Sequence, residues 1–178
     1  KGGWVQRLWL SLAEHEPYRT VFNLGIDGGT SETILKRFES EAHARHASML
    51  IFQTGGNDAS MRSIGGQNEV PIDTFKKNIE IIIEKAKKIT DKIIFLDLKN
   101  CDESKTMPVY WDNIYYSNEN ILKYSKIMEE VCSAKQVLFL DIRPLDNDEF
   151  DDGLHPNAAG HEKIFKQVKD FLQKNNWI

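Results

Sequence analysis

Ser48-Met49-Leu50-Ile51-Phe52-Gln53-Thr54-Gly55-Gly56-Asn57-Asp58 is an apolar run that stops abruptly in Gly-Gly-Asn-Asp. A strand covered on both faces reads as continuous hydrophobicity, so Met49 to Gln53 is expected to lie inside a parallel sheet. In open α/β sheets, ligands sit beyond the carboxyl ends of such strands, which puts Asn57 where a site belongs. Its side-chain amide can donate to a developing oxyanion or simply close an Asx-turn, and the residues alone leave both readings open.

Working outward, helical and strand-like segments alternate along the chain. Helical periodicity runs through Trp4 to Glu14, Thr33 to His43, Ile72 to Lys88, Asn118 to Cys132 and Ala158 to Gln173. Strand-like runs are Arg19 to Phe22, Met49 to Gln53, Lys92 to Leu96 and Val137 to Leu140. This order implies a parallel sheet covered on both sides, that is, an α/β protein with a three-layer α/β/α sandwich and a flavodoxin-like sheet, as a single domain over residues 1–178. Phe75, Ile79, Ile82, Ile83 and Ala86, and Ile164, Phe165, Val168, Phe171 and Leu172, mark the core faces of two helices.

Two further segments carry chemistry. Asn23-Leu24-Gly25-Ile26-Asp27-Gly28-Gly29-Thr30-Ser31 is a glycine-rich strand-to-helix turn whose backbone N–H groups can hold an anion, with Thr30 or Ser31 as helix cap. Asp151-Asp152-Gly153-Leu154-His155-Pro156-Asn157 sets a carboxylate three residues before a histidine. The Asp can reach the imidazole Nδ1–H and fix the tautomer, leaving Nε2 as a base, while Pro156 suits the first position of the next helix. Taken alone, this stretch also reads as a surface turn with a capping Asp.

Together, in this order, the three segments resemble the SGNH hydrolases, the GDSL family of lipases, esterases and thioesterases, over essentially the whole chain. The resemblance implies the SGNH hydrolase fold and a site in which Gly28 N–H and the Asn57 amide form the oxyanion hole, His155 is the base and Asp152 orients it. It also implies a Gly-Asp-Ser block carrying the nucleophile, which no residue of this chain matches. Lys1-Gly2-Gly3-Trp4 resembles the segment that follows that block, so a first strand of about six residues and a loop of about ten are expected upstream. That strand would lie between Arg19 to Phe22 and Met49 to Gln53. Rival readings are a pseudo-enzyme, or Ser31 or Ser60 recruited as nucleophile, although Ser31 reads better as a cap and Ser60 as a loop residue.

Composition narrows the partners. The chain has 178 residues, 40% of them hydrophobic, enough for a core without disulfides. A formal charge of −4 without a basic face argues against a nucleic-acid or polyanion partner. Lys85, Lys87, Lys88 and Lys92 read as a solvated face. Cys101 and Cys132 lack metal-type spacing and suit reduced thiols in a cytoplasmic protein, while a signal peptide ahead of Lys1 stays open. No membrane span is present. The partner expected is a small-molecule ester; no metal or organic cofactor is required, and the oligomeric state is not readable. A metal site from Asp151, Asp152, His155 and His161 is disfavoured, because these residues straddle a turn and Pro156 restricts their approach.

The long connection from Lys99 to Ser117, with Tyr110, Trp111, Tyr115 and Tyr116, is rich enough in aromatics to cover something apolar, and Tyr110 and Trp111 are candidates for a substrate-pocket wall. The loop from Ser60 to Pro71 is the expected opposite rim. His15, His43 and His46 read as solvated, and His161 as packing or capping within the last helix.

Overall fold

The computed structural model describes residues 2–14, 17–142 and 144–178; the expectation for His15 lies outside them. The sheet is built from β1 (Leu50–Phe52), β2 (Ile93–Leu96) and β3 (Leu138–Leu140), all parallel, in the order β1-β2-β3. The helices are α1 (Trp4–Ala13), α2 (Ser31–Ala44), α3 (Ile72–Ala86), the short α4 (Glu103–Thr106), α5 (Asn118–Ala134) and α6 (Ala158–Lys174), with a 3₁₀ turn at Asn147–Glu149.

Successive strand side chains point to opposite faces, and the register sorts them. Phe52, Ile93, Phe95 and Phe139 face a core shared with α2, α3 and α5. Ile51, Ile94, Leu96, Leu138 and Leu140 face a second core with α1 and α6. These are the three layers of an α/β/α sandwich. Phe75, Ile79, Ile82, Ile83 and Ala86 are fully enclosed, as the helical spacing requires. Among the described residues no helix is long and apolar enough to cross a membrane.

Three local expectations are corrected. Residues 19–22 form no strand; Val21 packs on the second core and Phe22 is exposed beneath the Arg45 guanidinium. A strand exists only by virtue of a ladder partner, and among the described residues β1 pairs with β2 alone, leaving its other edge unpaired. Pro156 precedes rather than begins α6, whose N-cap is Asn157, accepting from Ala159 N at 2.8 Å and Gly160 N at 3.2 Å. The cap of α2 is Thr30, in a reciprocal capping box with Thr33, and not Ser31.

Phe75 packs at the middle of the first core, its ring centroid 4.9 Å from that of Tyr124. Phe75→Ala is expected to cost about 3–5 kcal/mol, seen as a lower urea midpoint at unchanged m-value.

Candidate active site

The loop leading into α6 is folded around one carboxylate. Asp152 Oδ1 accepts from Leu154 N at 2.9 Å and His155 N at 2.7 Å, while Oδ2 lies 2.7 Å from His155 Nδ1. Asp151 N donates to His155 O at 2.9 Å and closes the turn. Gly153 sits within it at φ +90°, a conformation that suits glycine, and an added Cβ would come 2.8 Å from that of Lys105. The Asp152 side chain is 18% exposed and that of His155 63%, so the imidazole stands out from a half-buried anchor. Burial raises the Asp152 pKa, but the bonds from the His155 backbone and ring and from Leu154 outweigh it and hold the carboxyl below its usual value.

His155 and Asn57 line one cleft of about 260 Å³, with Gly29, Tyr116 and Leu154 beside them. Asn57 is fixed from both ends: Nδ2 donates to Gly29 O at 2.9 Å, and Oδ1 accepts from Tyr116 Oη at 3.0 Å. One amide hydrogen of Asn57 thus remains for another acceptor. Gly28 takes φ +69°, which the turn needs, but it is Gly29 rather than Gly28 that lines the cleft. The turn is tied to the sheet by Asp58, whose fully buried carboxylate accepts from Ser31 N at 3.0 and 3.1 Å and from Ser31 Oγ. Asn78 Nδ2 donates to the same Ser31 Oγ at 2.9 Å.

That network removes Ser31 as a candidate nucleophile, since it is enclosed and fully bonded. Ser60 is buried too, donating to Asn57 O at 2.8 Å, and neither serine lines the cleft. Cys101 and Cys132 are buried free thiols whose pKa values burial pushes up, that of Cys132 to about 12. Among the described residues no group of His, Cys, Asp and Glu is arranged to hold a metal ion.

The connection after β2 contains α4 and brings Trp111 against His155, ring centroids 5.6 Å apart at 34°. Tyr110 packs edge-on to Trp111 at 4.9 Å and is largely exposed, lining a neighbouring surface groove with Asp151 and Asp152. The loop 60–71, the expected opposite rim, contributes no residue to the cleft lining. It is stitched to the first loop by Met61 and Tyr115, N to O at 3.0 and 2.8 Å, and by the Arg62–Asp112 ion pair at 3.0 Å. Sequence reasoning passed over Thr54, Lys99 and His161 as cleft residues, and Tyr116 as the partner of Asn57. His43 and His46 are exposed.

The chain matches the GDSL-like Lipase/Acylhydrolase family over residues 1–163. Among curated relatives, a GDSL esterase/lipase of Arabidopsis thaliana is 29% identical over 141 residues, covering 73% of this chain and 45% of the relative. The GDSL esterase/lipase WDL1 of Oryza sativa subsp. japonica is 24% identical, covering 73% of this chain and 55% of the relative. The chain thus spans about half the length of these two relatives. Among solved structures, a lipase/acylhydrolase from Enterococcus faecalis superposes with a TM-score of 0.80 at 21% identity, over 97% of this chain and 85% of that one. The acetylxylan esterase Axe2 from Geobacillus stearothermophilus gives 0.73 at 19% identity, over 97% and 80%. These two likenesses are of fold.

Because the Asp152 carboxyl lies below its unfolded value near 3.8, it stabilises the fold above that pH, and the contribution is lost as the pH falls through the folded value. Asp152→Ala is therefore expected to cost about 1–3 kcal/mol at pH 7, with the gap to wild type narrowing in acid below the unfolded value. Denaturant titrations of both proteins from neutral to strongly acid pH measure this directly.

Proposed function

We propose that the chain, which belongs to the GDSL-like lipase/acylhydrolase family, is a serine hydrolase of carboxylic esters, thioesters or acetyl groups working through an acyl-enzyme. The observation that carries the reading is the 2.7 Å contact between Asp152 Oδ2 and His155 Nδ1 on a ring exposed at the mouth of the Asn57 cleft. In this reading a Ser from a segment ahead of Lys1 attacks the carbonyl. His155 Nε2 takes its proton and returns one to the leaving alcohol or thiol; water then attacks the acyl-enzyme with His155 again as base. Asp152 holds the tautomer and the imidazolium, and the remaining Asn57 amide hydrogen receives the oxyanion together with a backbone N–H of the Gly28–Gly29 turn, whose Gly29 lines the cleft. Trp111, packed on His155, forms one wall for the substrate.

The competing reading is a binding module on the same fold, in which the Gly28 turn holds an anion without chemistry. Full-length protein incubated with p-nitrophenyl acetate and with a serine-directed phosphonate separates the two. Turnover, with covalent label on a serine, is expected of the hydrolase; neither is expected of the module. Asn57→Ala is expected to lower kcat by about 10²–10³ with little change in KM if the amide serves the oxyanion. If Asn57 only joins Gly29 to Tyr116, the same change costs about 1–2 kcal/mol of stability and leaves the activity per folded molecule near normal. Measuring kcat and Tm on one preparation decides.

A further inference from the structure

The cleft has polar groups besides Asn57 and His155. Thr54 lies two residues beyond β1, Lys99 three beyond β2, and His161 in the first turns of α6, and all three line the same cavity as His155. Thr54 is 5% exposed, and its Oγ1 is buried without a hydrogen-bond partner. His161 Nδ1 is likewise buried and unpartnered. The Lys99 ammonium makes no hydrogen bond or ion pair with any described residue, in contrast to Lys85, Lys135 and Lys163, which all do.

We infer that Lys99, Thr54 and His161 form a carboxylate-binding site in the cleft. The three side chains bring ammonium, hydroxyl and imidazole donors to one place, and only the acceptor-only chemistry of a carboxylate or similar anion answers them all. A neutral carbonyl or hydroxyl could satisfy hydrogen bonds but would leave the lysine charge without a counter-charge. One lysine matches a monoanion better than a doubly charged phosphate. Burial holds Lys99 below the ordinary lysine value, an effect that an anion beside the ammonium would oppose, while burial, Arg7 and Lys99 in turn hold His161 below its own. Lys99 also feels the charge of Asp152, so a carboxylate here lies near the catalytic pair. Thr54 and Asn57 are three residues apart, at most about 10 Å along the chain, so an ester carbonyl at Asn57 and a carboxylate at Lys99 fit one short molecule, a half-ester of a dicarboxylic acid.

The carboxylate has two sources: a group on the substrate, or an acidic side chain from a preceding segment of the same chain. The substrate source rests on the hydrolase reading above, whereas binding itself does not. Full-length wild type, Lys99→Met and Lys99→Arg are compared by kcat/KM on mono-p-nitrophenyl succinate and p-nitrophenyl acetate. Their Tm is followed in sodium succinate against sodium chloride of equal ionic strength. For a substrate carboxylate, Lys99→Met lowers the succinate-to-acetate ratio about tenfold or more, Lys99→Arg retains most of it, and succinate raises the Tm of wild type but not of Lys99→Met. For a carboxylate of the chain, Lys99→Met loses several degrees of Tm and both rates fall together, Lys99→Arg restores them, and succinate has no effect. Either pattern supports the site and names its ligand. An unchanged ratio and Tm in Lys99→Met, with no response of wild type to succinate, overturns it. If wild type turns over neither ester, the hydrolase reading fails while the thermal comparison still decides the site.

Discussion

The arrangement depends on a carboxylate buried where water cannot reach it. Asp58, just past the end of β1, accepts the backbone N–H and the hydroxyl of Ser31 at the start of α2, and Asn78 of α3 closes the set from the other side. Enclosing a carboxylate costs several kcal/mol unless its lone pairs are answered. Burial still raises the Asp58 pKa despite the bonds from Ser31. The sign follows: a folded value above the unfolded one means that its stabilising contribution is complete below about 3.8 and is lost as the pH rises through the folded value. Burying this carboxyl group is thus a cost that the fold carries as the pH rises. Its return is positional, since the turn before α2 cannot move relative to the end of β1.

From that joint the cleft follows. With Ser31 pinned, Gly29 presents its carbonyl to Asn57 Nδ2 at 2.9 Å, and Tyr116 holds Asn57 Oδ1 at 3.0 Å. Three separate segments thus meet at one amide. On the other wall the Asp152 turn is closed mainly by bonds among residues 151–155, with one tie to the loop after β2, Asp102 N donating to Gly153 O at 2.8 Å. One side of the cleft is assembled from distant parts and the other is mostly local.

This difference explains what could be read from the chain. The strand interiors and the faces of α3 and α6 were legible, because burial on both sides or along one stripe leaves a periodic mark. The Asp152–His155 pair was legible because three residues within one turn carry the whole geometry. Residues 19–22 were not, because β-like composition cannot supply the neighbour that makes a strand. Thr30 and Ser31 both offer a cap hydroxyl, and only the depth at which Asp58 sits takes Ser31 out of that role. Tyr116, Thr54, Lys99 and His161 carry no local pattern; they converge because strand ends and the start of α6 meet above the sheet.

Asn57 then has an ambiguous character that is itself physical. Its amide spends one hydrogen on Gly29 and its oxygen on Tyr116, so it is a structural joint whatever else it does. A donor serving an oxyanion must already point at the place where charge develops, since reorganisation during reaction would consume the benefit. The bonds that make Asn57 structural are the ones that would hold its second hydrogen still. Structure and catalysis at this residue are therefore one arrangement seen from two sides, and the buried Asp58 behind it is what keeps the arrangement in place.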